Sequence, residues 1–143
     1  MATLTNLRKA TPVLVVDRIE PVVAFWKKLD LTVVAEARDQ ASEDGRLGFV
    51  ILASQGVEIM YQTVASVRDD LLKSASVKEA VRSGPQQTTL FVEVNALAEI
   101  ESKLQGETLI MPRRTTVYGT TELGYTDPAG NIVIFAEHVT ADT

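Results

Sequence analysis

Two spacings of apolar residues alternate along this chain, and the places where one gives way to the other mark its elements. Pro12 to Val16 is an apolar, β-branched run, the signature of a buried strand. Asp17 follows as a candidate N-cap, with Glu20 three residues on where a capping box would put it. Ile19, Val22, Val23, Trp26 and Leu29 then recur at helical spacing and predict an amphipathic helix over Ile19 to Leu29. Leu31 to Glu36 returns to strand character. The polar stretch Arg38 to Arg46, with Asp44-Gly45 inside it, reads as a loop or wide hairpin. Leu47 to Ala53 and Val57 to Gln62 read as two strands joined by a tight turn at Ser54-Gln55-Gly56. The order is βαβββ.

The second half repeats that order: strand Thr89 to Val94, helix Leu97 to Leu104, strand Glu107 to Met111, then strands Thr120 to Thr126 and Asn131 to Glu137. Asp127-Pro128-Ala129-Gly130 has Pro and Gly where a β-turn wants them. The copy is also literal. Thr11-Pro-Val-Leu-Val-Val-Asp17, Ile19 and Trp26 fall on Thr89-Leu-Phe-Val-Glu-Val-Asn95, Leu97 and Leu104, a constant offset of 78 residues from position 11 to position 89. Gly56 to Tyr61 falls on Ile132 to Glu137 with two residues fewer between them. Two copies are too few for a solenoid, which needs at least three units to bury its faces. They predict one pseudo-symmetric domain, with modules at about 9–62 and 87–138 and a site near the seam. Val64, Val67, Leu71, Val77 and Val81 suggest one or two linking helices across 63–86, ended by Ser83-Gly84-Pro85.

Composition narrows the function classes. With 45% hydrophobic and 23% charged residues, the chain falls among ordinary globular domains. Cysteine is absent, which removes disulfides, thiolate metal sites and cysteine nucleophiles together. Met1 to Ala10 is polar and basic, unlike a leader peptide, and no apolar run approaches the roughly 20 residues of a membrane span. The expectation is a cytoplasmic protein without membrane contact. The net charge is −5 and Lys and Arg form no tract, so nucleic acid is not an expected partner.

The doubled βαβββ unit, the phrase Val-Val-Asp-Arg-Ile…Ala-Phe-Trp at Val15 to Trp26, and Asp-Pro-Ala-Gly-Asn…Phe-Ala-Glu at Asp127 to Glu137 resemble the vicinal oxygen chelate superfamily. That group includes glyoxalase I, the bleomycin-resistance proteins and the extradiol dioxygenases. The resemblance runs from about Thr11 to His138, and the turn entering the last strand is its most specific part. It implies an α+β fold of two βαβββ modules forming a cup-shaped mixed sheet, with the ligand inside and commonly a homodimer. In metal-using members, the four ligand positions align here with Thr11, Glu58, Thr89 and Ile134. Only Glu58 is a carboxylate, and the set offers too few strong donors for a divalent cation. Neither a metal nor another cofactor is expected.

Strand alternation extends the site. If Thr11, Glu58, Thr89 and Ile134 face the cup, so do Val13, Met60, Gln62, Phe91, Ile132 and Ala136, giving a mostly apolar cavity suited to a small molecule. Glu58 interrupts the apolar run Gly-Val-Glu-Ile-Met. Its carboxylate is expected to face inward, poorly solvated, with a raised pKa. Arg113 and Arg114 are placed on a loop after the sixth strand, as candidates for anion capture. Tyr118 and Tyr125 sit near a strand-loop edge, where they are candidates to stack on a flat ligand. Trp26 reads as helix core, and His138, the sole histidine, as an end-of-strand residue. Two functions remain open. One is metal-free binding of a small molecule, resembling the drug-sequestering bleomycin-resistance proteins. The other is a metal-free lyase or isomerase with Glu58 as general base.

Overall fold

Among the residues that the computed structural model describes (6–39, 42–71 and 87–139), eight strands form two four-stranded sheets of matching design. The first half runs β1 (Val13–Val16), α1 (Glu20–Lys27), β2 (Thr32–Arg38), β3 (Leu47–Ser54) and β4 (Val57–Thr63). The second runs β5 (Thr89–Glu93), α3 (Leu97–Lys103), β6 (Thr108–Thr115), β7 (Thr120–Thr126) and β8 (Ile132–His138). A further helix, α2 (Val64–Leu71), follows β4, so the first part of the expected linker is helical. Val77, Val81 and Ser83-Gly84-Pro85 lie outside the described residues.

The sheet orders are β1-β4-β3-β2 and β5-β8-β7-β6. In each, the first strand pairs in parallel with the last, Val13 opposite Met60 and Phe91 opposite Ile134, while the other pairings are antiparallel. This is an α+β fold of two βαβββ halves, as the repeat implies.

Helix α1 forms because Ile19, Val22, Val23, Phe25 and Trp26 make one apolar stripe, all of it buried. Its start differs from the capping-box expectation. Ile19 is the N-cap residue, with no side-chain cap, and Pro21 stands in the first turn, where a missing N–H costs nothing. Glu20 instead accepts the backbone N–H of Leu47 at 2.7 Å, tying the helix start to β3.

The core is continuous between the halves. Leu14, Val16, Val50, Leu52, Ile59 and Tyr61 of the first sheet share one buried cluster with Leu123, Tyr125, Val133 and Phe135 of the second. Trp26 of α1 packs edge-on against Phe135, with ring centroids 6.2 Å apart. Trp26 Nε1 donates to the Tyr61 hydroxyl (2.8 Å), which donates to Asp127 Oδ2 (3.0 Å). Asp127 in turn builds the turn between β7 and β8: its Oδ1 accepts the N–H groups of Ala129 and Asn131, both at 2.9 Å. Gly130 completes that turn at φ 88°, a left-handed conformation that suits glycine. Asn131 Oδ1 accepts the N–H of Thr88 (2.7 Å) and aligns the start of β5. The Asp-Pro-Ala-Gly-Asn motif therefore fastens its own hairpin, the first strand of its half and the opposite half.

Strand β6 runs farther than expected, to Thr115, with Pro112 inside it. Pro112 is tolerated because β6 is an edge strand with register shifts on both sides of Met111. The edge strand β2 of the other half carries a register shift between Val33 and Ala35, the counterpart of the shift between Leu109 and Met111 in β6. The residues skipped, Val34 and Ile110, are 58% and 46% exposed.

Candidate functional site

On the sheet faces turned away from α1 and α3, Val13 lies beside Met60, Phe91 beside Ile134, and Thr89 beside Ile132, as strand alternation requires. These faces are open in the single chain: Val13 is 48% and Phe91 55% exposed. Ala136, on the same face, is fully buried.

Glu58 enters β4 just after the Gln55-Gly56 turn, one strand in from the edge. Its Oε1 accepts the Thr11 hydroxyl at 2.8 Å and its Oε2 accepts the Lys9 ammonium at 3.0 Å. The side chain is 27% exposed. The expectation of a poorly solvated, unpaired carboxylate with a raised pKa is therefore corrected. The hydrogen bond from Lys9, then that from Thr11, holds the Glu58 carboxyl below its ordinary 4.5.

A groove of about 410 Å³ runs between the halves beside this pair, lined by Pro12 and the segment from Gln55 to Ile59 on one side and by Leu90 to Glu93 on the other. It brings Glu58 and Phe91 together. Thr11 belongs to an adjoining hollow of about 380 Å³ that also holds Lys9 and Glu58. Val13, Met60, Thr89 and Ile134 lie on the same sheet faces but do not line the groove.

Other candidates stand elsewhere. Arg113 and Arg114 are strand residues of β6 rather than loop residues. Arg113 faces Glu101 of α3 at 3.5 Å on an exposed surface. Arg114 donates through Nε (3.2 Å) and Nη2 (3.0 Å) to Oε1 of Glu122, a buried carboxylate whose Oε2 accepts the Thr120 hydroxyl. Tyr118 sits at the β6–β7 turn, 87% exposed, and Tyr125 is core, packed against Phe135. The edge placement proposed for Tyr125 fails because its ring is part of the buried core, 4% exposed and packed against Phe135.

Lys9 and Glu93 were not among the candidates. Glu93 was within reach, since alternation from Phe91 puts it on the same face, where it meets His138 Nε2 at 2.6 Å. Lys9 carries no such signal, being 49 residues from Glu58 in a segment without periodicity.

The four positions that hold a metal in related folds do not fit one here. Thr11 spends its hydroxyl hydrogen on Glu58, Lys9 already neutralises that carboxylate, and Thr89 and Ile134 add no anionic donor. Among the described residues, no three His, Asp or Glu side chains gather as a metal site.

No family model matches the sequence, and no curated protein matches it. Solved structures do resemble it. A glyoxalase/bleomycin resistance protein/dioxygenase from Nocardioides superposes with a TM-score of 0.64 at 15% identity, covering 98% of this chain and 89% of that one. The protein PA1353 from Pseudomonas aeruginosa gives a TM-score of 0.65 at 14% identity over 94% and 100% of the two chains. A bleomycin-binding protein in complex with bleomycin gives 0.56 at 18% identity over 92% and 99%. The fold is that of the glyoxalase/bleomycin-resistance structures. No helix among the described residues is long and apolar enough to cross a membrane.

Proposed function

We propose that this chain is a metal-free small-molecule binding protein, resembling the drug-sequestering members of its fold group, and that it takes an aromatic or otherwise apolar organic cation. The observation that carries the reading is the groove lined by the half-exposed ring of Phe91 and by two carboxylates, Glu58, whose partner Lys9 a ligand cation would displace, and Glu93, which meets His138. A cation over an aromatic face gains from the ring quadrupole, and nearby carboxylates add charge attraction without requiring a metal. Val13, Met60, Thr89 and Ile134 supply apolar and small polar contact surface beyond the groove. Their exposure in one chain supports a homodimer in which a second copy covers these faces and completes the cavity. The lack of cysteine suits a reducing compartment such as the cytoplasm.

Glu58 as a general base is the weaker reading. A carboxylate held ionised by Lys9 and Thr11 has little affinity for a proton.

The test is a thermal-shift screen of aromatic ammonium and guanidinium compounds, with each hit incubated and assayed for loss of ligand. The expected result is a melting temperature that rises with saturation while the ligand is recovered unchanged. Turnover of the ligand, or no response to any cation, overturns the reading. Sedimentation should show a dimer at micromolar concentration that Phe91→Asp converts to monomer; a monomeric parent protein refutes the shared site.

A further inference from the structure

Residues 6–10, which lead into β1, belong to no strand or helix and are exposed. The chain becomes anchored just beyond them. The Thr11 hydroxyl donates to Glu58 Oε1, and the Pro12 carbonyl accepts the N–H of Met60 at 3.0 Å. Two residues upstream of Thr11, the Lys9 ammonium reaches back to Oε2 of the same carboxylate at 3.0 Å. Lys9, Ala10 and Thr11 thereby form one wall of the hollow of about 380 Å³, faced by Ala53, Ser54 and Gly56 to Glu58 across it. Glu58 lines both this hollow and the groove that holds Phe91, whereas Lys9 lines the hollow and not the groove. The carboxylate is therefore shared between the groove and a cation that the chain itself supplies.

Two properties of the pair suit a displaceable plug. The Lys9 side chain is 63% exposed, and ion pairs at such exposure are weak enough to open readily. Its tether is short, however, which gives the ammonium a local concentration at Glu58 on the order of millimolar. A simple cation in dilute solution competes poorly against that. A cation with an aromatic body adds contact with the half-exposed Phe91 ring, which the lysine chain, seated in the hollow, does not make.

We propose, resting on the reading of the groove as a cation site, that residues 6–10 act as an autoinhibitory strap. Lys9 is an internal competitor that withholds Glu58 from simple cations and yields it to an organic cation able to engage Phe91. The coupling is reciprocal: the occupant expels Lys9, and anything that holds Lys9 in place weakens the occupant by the same factor.

Release of Lys9 is readable with no ligand present, because its amine must leave Glu58 to meet a reagent. The experiment treats the full chain with a trace of an N-hydroxysuccinimide ester of acetic acid and follows each lysine by mass spectrometry, with exposed Lys27 as internal reference. Glu58→Gln should raise the Lys9 rate about threefold relative to Lys27. In the parent chain, benzyltrimethylammonium should raise it saturably to the same level, and tetramethylammonium at equal concentration should not. A parent-like Lys9 rate in Glu58→Gln overturns the strap, whatever the groove binds. Equal release by the two ammonium ions overturns its selectivity. If benzyltrimethylammonium raises the melting temperature without releasing Lys9, the strap fails and the groove reading stands. If it does neither, the groove reading fails and the strap with it.

Discussion

The hydroxyl of Tyr61 donates to Asp127 Oδ2 at 3.0 Å, joining β4 of one half to the β7–β8 turn of the other across 66 positions of sequence. Trp26 Nε1 donates to the same hydroxyl at 2.8 Å, so one buried oxygen serves three elements. Tyr61→Phe keeps the ring but leaves the indole N–H and one carboxylate oxygen without that partner. The expected loss is about 1–3 kcal/mol in urea-induced unfolding.

The same group sets an alkaline limit. Burial first, and then the charge of Asp127, push the Tyr61 phenol far above its ordinary value of 10.0. A raised folded-state pKa stabilises below the unfolded value and loses that contribution above it. Stability measured by denaturant titration should therefore be level up to about pH 10 and fall beyond it, and the Tyr61→Phe variant should fall less steeply.

Glu58 has the opposite sign. Its folded pKa is held below 4.5, so the carboxylate stays ionised throughout mildly acidic conditions. Affinity for a cationic ligand should be constant from about pH 8 to pH 5 and drop only below about pH 4.5. Glu58→Gln should weaken that affinity by roughly tenfold and remove the acid limb. Lys9→Met should strengthen binding, because Lys9 competes with the ligand for the same oxygen. Calorimetric titration across pH checks all three; equal affinity in the Lys9→Met and parent proteins would dissociate Glu58 from the ligand.

Arg113 and Arg114 are neighbours in sequence with unequal roles. Arg114→Met leaves the buried Glu122 carboxylate without its cation and should cost about 2 kcal/mol, reduced by the partial exposure of the arginine. Arg113→Met removes only an exposed pair with Glu101 and should cost well under 1 kcal/mol. Thermal unfolding of the two variants side by side measures the contrast.

Zinc, manganese or nickel added to the purified protein should leave its melting temperature unchanged, and elemental analysis should find no stoichiometric metal. A stoichiometric ion retained through purification would contradict the reading of Thr11, Glu58, Thr89 and Ile134.

The fold was largely legible because it rests on local periodicity. The apolar runs at Pro12 to Val16 and Thr89 to Val94, and the helical stripe through Val22, Val23 and Trp26, declare themselves in any window of the chain. The Asp127 turn was equally plain, since its chemistry is confined to five residues. Long-range polar pairing was not legible. Nothing near Glu58 reveals that Lys9 lies within 3.0 Å, and that one contact reverses the direction of its pKa shift. Glu20 shows the same failure on a smaller scale: its spacing from Asp17 suggested a local cap, but it bonds to Leu47. The length of β6 was hidden by Pro112, which ends most strands but sits comfortably on an edge beside a register shift.

Matching irregularities at Val34 and Ile110 have a consequence for how copies of this chain can associate. A regular edge strand presents an unbroken row of N–H and C=O groups that templates sheet extension, the route to fibrils. Here one outer strand of each sheet, β2 and β6, is kinked near the same point, so the row is interrupted along those two edges. Sheet extension is discouraged at those two margins. The dimer proposed above, formed through the broad side-chain surfaces around Val13 and Phe91, would close after two copies instead of propagating.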